Sequence, residues 1–376
     1  MGSESAPLVA RVTQRSPRCG GMLGELFTRR LLIVLGKGGV GKTTLCAALA
    51  RAGGTSAAPA IVMECDSRAS SNALFGVAPK FDPFDAGNGV SVALLDGRQA
   101  LEEYLRLVVP GRALLHAVFA NRLYQFFVQA APGLKELMML GKVCYELERR
   151  TDTEPSDRGG ARLGWTRRGE GRRARRRRRQ SVAGHGDCPS TRSRRWGLII
   201  VDAPASGQAL SLLRMPSAAR RTFGESIVGR EADNIGRTLR DSRTTAIIQV
   251  TTPEALAVSE TLETFDALAE MKLKPRAILF NRHVRVEFDE RDIASVTGAA
   301  AASAPRSHLK ELARAELARR RAGEQALSML LERTRVPVIE VRDYAGMGSA
   351  GLVERIAADL ALRVEAQSAG STTGGR

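Results

Sequence analysis

The run Gly36-Lys37-Gly38-Gly39-Val40-Gly41-Lys42-Thr43-Thr44 fits the pattern G-x-x-x-x-G-K-[ST]. The chemistry of that pattern is phosphate capture. Its glycines let the backbone wrap until successive N–H groups face phosphate oxygens. A helix starting at the same place adds about half a positive charge. Gly36, Gly38, Gly39, Val40, Gly41 and Thr44 supply the cradle. Lys42 is placed to reach the β- and γ-phosphates, and the Thr43 hydroxyl to hold Mg²⁺. Two acids stand where a phosphate chemistry needs them. Leu198-Ile199-Ile200-Val201 is an apolar run ending in Asp202, a position suited to supporting Mg²⁺ or, more simply, to capping the helix that follows. Ile61-Val62-Met63-Glu64-Cys65 ends in Asp66, which can orient an attacking water or merely support its loop.

These residues need a scaffold, and the chain supplies one. Strand-like runs fall at Leu31–Leu35, Ile61–Cys65, Val90–Leu95, Leu198–Val201, Ala246–Val250, Ala277–Phe280 and Val336–Val341. Helical periodicity fills most of the intervals, as in 253–271 and 307–331. Alternation of apolar strands with helices predicts an α/β fold with a doubly wound, mostly parallel sheet. The motif then lies between the strand Leu31–Leu35 and a helix opening at Thr44, the context it requires.

The interval 99–149 breaks the alternation and reads as an inserted helical subdomain. One helix is predicted over Arg112–Ala130, with Leu115, Phe119, Leu123, Phe126 and Ala130 on one side. A turn at Pro132-Gly133 leads to a second helix over Leu134–Glu148, carrying Leu137, Met138, Val143 and Leu147. Such faces are either core packing or an adaptable groove for an apolar client.

The 376-residue chain carries a net charge of +17, but unevenly. Residues 151–195 hold 14 arginines and 5 acidic residues, a local balance of +9. That segment is too polar to bury a core and is expected to be disordered. It reads as a solvated loop without a role, as an anchor for nucleic acid or anionic lipid through 158–195, or as a reading-frame error in the coding sequence. The polar residues 1–21 are expected to be a disordered or non-native extension, and 364–376 a disordered tail. The folded unit is then 22–363, with inserts at 99–150 and 151–195. Five unclustered cysteines exclude a C-x-x-C zinc site. With no apolar run of about 18 residues and no leader-like stretch, a cytoplasmic protein is expected.

Taken together, the motifs resemble the ArsA-type anion-transporting ATPases, the family of arsenite-pump and tail-anchored-protein targeting ATPases. The loop from Gly36 to Thr44 matches its deviant K-G-G-x-G-K-[ST] form. Asp66 to Gly76 echoes its D-P-A-H-S-L-S-D-A-F-G box, though Ser67-Arg68-Ala69 replaces Pro-Ala-His. Asp202 to Leu210 echoes D-T-A-P-T-G-H-T-L, and Ala277 to Asn281 echoes a strand ending in an adenine-contacting asparagine. The resemblance covers roughly 22–150 and 196–363. It implies an ATP-binding and ATP-hydrolysing enzyme dependent on Mg²⁺, working as a homodimer. It also implies that Lys37 crosses to the partner's nucleotide, that Asn281 reads adenine, and that a client, an anion or an apolar protein segment, is engaged by 99–149. The same loop occurs in MinD and ParA partitioning ATPases, so a partitioning or nucleic-acid-associated switch is the alternative. A scaffold that binds ATP without hydrolysing it is a third reading.

Overall fold

The computed structural model describes residues 19–65, 74–76, 80–108, 133–150, 194–296, 304–344 and 346–371. Asp66, the helix expected over 112–130 and the arginine-rich 151–193 lie outside the described residues. Eight strands form one sheet: β1 (Leu31–Gly36), β2 (Ala60–Glu64), β3 (Phe84–Asp85), β4 (Val90–Leu94), β5 (Leu198–Asp202), β6 (Thr245–Thr251), β7 (Pro275–His283) and β8 (Val338–Arg342). Their order is β3-β4-β2-β5-β1-β6-β7-β8. Every pairing is parallel except β3 with β4, which is antiparallel. This is the doubly wound, mostly parallel α/β sheet that the strand–helix alternation predicts.

The central strands are apolar along their whole length because helices cover both faces. β1, β2, β5 and β6 are buried at every residue. Side chains still alternate, with a period of two. Leu31, Ile33 and Leu35 face one layer, while Leu32 and Val34 face the other. The first layer holds α4 (Leu134–Glu148), α5 (Ser206–Phe223) and α6 (Ile227–Arg240), with α3 (Gly97–Val108) packed along α4. The second holds α1 (Cys19–Phe27), α2 (Lys42–Gly53) and α10 (Ser349–Ser371). A smaller cluster joins α7 (Ala255–Glu270) and α9 (Ala304–Thr334) to β7 and β8 around Phe280. α8 (Glu290–Val296) lies against α9.

Several expectations change. The helix over Leu134–Glu148 exists with those bounds. Leu137, Met138, Val143 and Leu147 are each 3 % exposed or less and share a core with Leu31 and Ile33. The described part of 99–150 is therefore a layer of the main core rather than a separate subdomain. α1 begins at Cys19, and its Leu23 and Leu26 are buried, so the folded unit starts before residue 22. α10 continues to Ser371, past the expected start of the tail at 364. Arg194 and Arg195, assigned above to the disordered segment, are ordered. Arg150 and Arg194 form an antiparallel bridge, and the Arg195 N–H donates to the Arg149 carbonyl at 3.0 Å.

Candidate nucleotide site

β1 enters the loop from the centre of the sheet, between β5 and β6. The chain moves outward on one side through β2 and β4, and on the other through β6, β7 and β8. Ligand crevices open at such a reversal, beyond the carboxyl ends of the strands. Two glycines show why the loop needs its sequence. Gly36 has φ +153°, and a Cβ there would stand 2.5 Å from the Val250 carbonyl oxygen on β6. Gly41 has φ +91°, and its Cβ would stand 2.5 Å from Nδ2 of Asn281. Gly41 directly precedes α2, so the loop delivers its backbone to that helix's N-terminus.

The ammonium of Lys42 donates to the carbonyls of Gly36 and Lys37, at 2.9 and 3.1 Å. This pins the side chain along the loop rather than into solvent. The Thr43 hydroxyl donates to Oδ2 of Asp202 at 2.5 Å. A hydroxyl and a carboxylate thus meet where β5 ends beside the start of α2. That pair of hard oxygen donors fits a Mg²⁺ ion. Asp202 is 5 % exposed. Beneath it, burial pushes the Cys46 thiol well above its ordinary pKa, and the Asp202 carboxylate adds to the effect. Cys46 therefore stays a neutral thiol in the core.

The structure brings the remaining residues to the same end of the sheet. Asn281, on β7, donates from Nδ2 to the Val40 carbonyl at 2.8 Å and is 7 % exposed. It braces the loop from behind, a contact that its expected part in reading adenine does not include. Lys37 lies 3.6 Å from Glu260 on α7, within its own chain. Gly38 and Gly39 have open space where a Cβ would project, leaving the crest of the loop uncovered. Val40 is buried beneath that crest, and Thr44 lies in the first turn of α2. Asp66 lies outside the described residues. β2 ends two residues before it, where Glu64 pairs in register with Asp202 and is 2 % exposed.

Sequence reasoning missed Glu260 and the Val250 carbonyl. Helical periodicity marks α7 but not which of its acids faces the loop. A backbone oxygen leaves no signature of its own.

A glycine loop between a buried strand and a helix, with a lysine over it and a hydroxyl–carboxylate pair at its mouth, defines a P-loop nucleotide-binding α/β domain. Residues 31–338 match CbiA, the CobQ/CobB/MinD/ParA nucleotide binding domain, and the chain belongs to that family. The ATPase BagA of Mycobacterium tuberculosis is 27 % identical over 277 residues, covering 70 % of this chain and 68 % of that protein. Mb3704 of Mycobacterium bovis, provisionally named an ATPase, matches with the same identity and coverage. Among the described residues, no helix is long and apolar enough to cross a membrane.

Proposed function

We propose that the protein is a Mg²⁺-dependent ATPase of the ArsA-like branch, switching between an open form and a nucleotide-closed dimer. The observation that carries this is the Thr43–Asp202 pair at 2.5 Å beside Lys42 on the loop. Hydrolysis of a phosphoanhydride is mainly a matter of position and charge. Backbone N–H groups from Gly38 to Thr44 cradle the phosphates, and Lys42 moves from the loop carbonyls onto the terminal ones. Mg²⁺, held through Thr43 and Asp202, supplies charge neutralisation. Asp66 orients the attacking water, and Asn281 keeps the loop in register while its surroundings receive adenine.

The class also bears on Lys37. In this chain it rests on Glu260, an exchangeable partner, since an ion pair this open is worth about 0–1 kcal/mol. Dimer closure replaces Glu260 with the nucleotide of the partner subunit. Such a residue in trans is worth roughly 10³–10⁵ in rate. The closing movement would reach the client through 99–149, whose α3 and α4 lie against the same sheet. The names of the mycobacterial relatives support ATP hydrolysis. The Asp202–Leu210 segment supports the ArsA-like branch over the MinD/ParA one.

Steady-state ATP hydrolysis with Mg²⁺, run beside light scattering, tests the reading. Turnover lost in Lys37→Ala and in Asp66→Asn, with dimers that need ATP, is the expected result. ATP binding without turnover in the parent protein sinks it and leaves a nucleotide-gated scaffold.

A further inference from the structure

The end of the sheet opposite the loop carries a feature that nucleotide binding does not use. Because β1, β7 and β8 are parallel, their entries all lie at that end. A cavity of ≈ 250 Å³ opens there between α1 and the starts of β7 and β8. Its lining includes Arg29, Arg276 and Arg335, with Glu25, Val336 and Pro337. Glu25 is the one carboxylate among the lining residues and is already engaged by Arg29 at 2.7 Å. Arg276 and Arg335 have no carboxylate partner among the described residues. Three guanidiniums against one acid leave an excess of two positive charges around a small concave space.

Arg335 directly follows the last residue of α9 and has φ +52°, the left-handed turn with which many helices end. That turn brings a guanidinium-bearing residue into the cavity's lining. In addition, Val336, Pro337 and Pro275 give the cavity an apolar wall. Charged side chains beside an apolar wall are the make-up of a small-molecule site.

We infer that this cavity is a second anion site, receiving a small molecule that bears a phosphate group. Arginine matches phosphate because its planar fork donates two parallel hydrogen bonds to two oxygens. The volume of ≈ 250 Å³ admits a phosphate with a short carbon skeleton. β1 runs from the residue after Arg30 to the first glycine of the loop, about 20 Å away. The two anion sites therefore occupy opposite ends of one strand.

The test is calorimetric titration of the full chain with inorganic phosphate, run on the parent, Lys42→Ala, Arg276→Ala and Arg335→Gly. Lys42→Ala should leave the second site intact. Arg276→Ala should weaken it about tenfold or more. Arg335→Gly should weaken it likewise while relaxing the positive φ, so its melting temperature should hold or rise. That separates lost binding from lost folding. Phosphate bound only at a site that Lys42→Ala removes, and that both cavity substitutions spare, overturns the inference and leaves the loop reading standing. No phosphate binding in Lys42→Ala overturns it as well. So does a response confined to a single-stranded oligonucleotide and falling steeply with salt, which is the behaviour of a polyanion surface.

Discussion

Asn281 and Val40 are 241 positions apart in sequence, yet one hydrogen bond between them fixes the phosphate loop. Removing the donor leaves a buried carbonyl unsatisfied, which costs about 1–3 kcal/mol. Asn281→Ala should lose that much in urea unfolding and bind ATP more weakly. Asn281→Asp should be worse, although it is isosteric, because a carboxylate accepts where a donor is needed. Urea midpoints of the three proteins, compared at one pH, check the order. Glu260 makes the opposite kind of contact, half-buried, longer and replaceable. If it holds Lys37 back, Glu260→Gln should increase the ATP-dependent dimer fraction up to about fivefold, the size expected for a partly exposed ion pair. Sedimentation at fixed ATP would show it, and an unchanged fraction would remove Glu260 from the switch.

At the scale of elements, α4 is held by charge as well as by its apolar face. Lys142 is 3 % exposed in its side chain and contacts Glu103 at 2.7 Å and Glu146 at 3.1 Å. Glu146 is fully buried and also accepts from the Trp196 indole N–H at 2.8 Å. Burial alone would raise the Glu146 pKa. Lys142, Trp196 and Arg149 more than offset it, and the carboxyl stays below its ordinary range. Lys142→Met leaves that buried charge with Arg149 and Trp196 alone and should destabilise by about 1–3 kcal/mol. Adding Glu146→Gln should recover part of the loss, and thermal unfolding of single and double variants measures it. α6 carries a carboxylate with the opposite shift. Burial pushes Glu231 up to about 7, against weaker opposition from Asn234 and Arg230. A raised acid holds its proton longer in the fold, so stability falls as pH rises from about 4.5 to 7 and then levels. Glu231→Gln should therefore stabilise the protein above pH 7, by up to about 3 kcal/mol, and change little at pH 4. Equal gains at both pH values would exclude the carboxylate as the cause.

Seven of the eight strands, the mostly parallel sense of the sheet and the placement of the loop were legible from short apolar runs. Buried strands of this kind must read as continuous runs. β3 was not legible, because a strand of two residues carries no period. The far end of α10 read as a tail because Ser and Gly punctuate it, although Ala, Glu and Gln sustain a helix to Ser371. At the site, the residues whose spacing encodes their role were found from sequence: Lys42, Thr43 and Asp202. The Lys37–Glu260 pair and the brace on Val40 depend on which helix the fold lays over the loop, and no local spacing records that. The client reading of α4 drew on an apolar face that the structure spends on the core. That face is the same in sequence whether it meets a partner or its own sheet.

The bridge between Arg150 and Arg194 holds the two ends of residues 151–193 side by side. Because the bridge already joins the two ends, replacing the segment with a short turn should leave the melting temperature unchanged or higher. A fall of several degrees on that replacement would mean the segment supports the core. For a gene, such a stem is a port. Sequence can be gained, lost or exchanged there by recombination while the sheet and its loop pass to descendants intact. For the experimenter, it is a place to graft a fluorescent domain whose signal follows the sheet without occupying either of its ends.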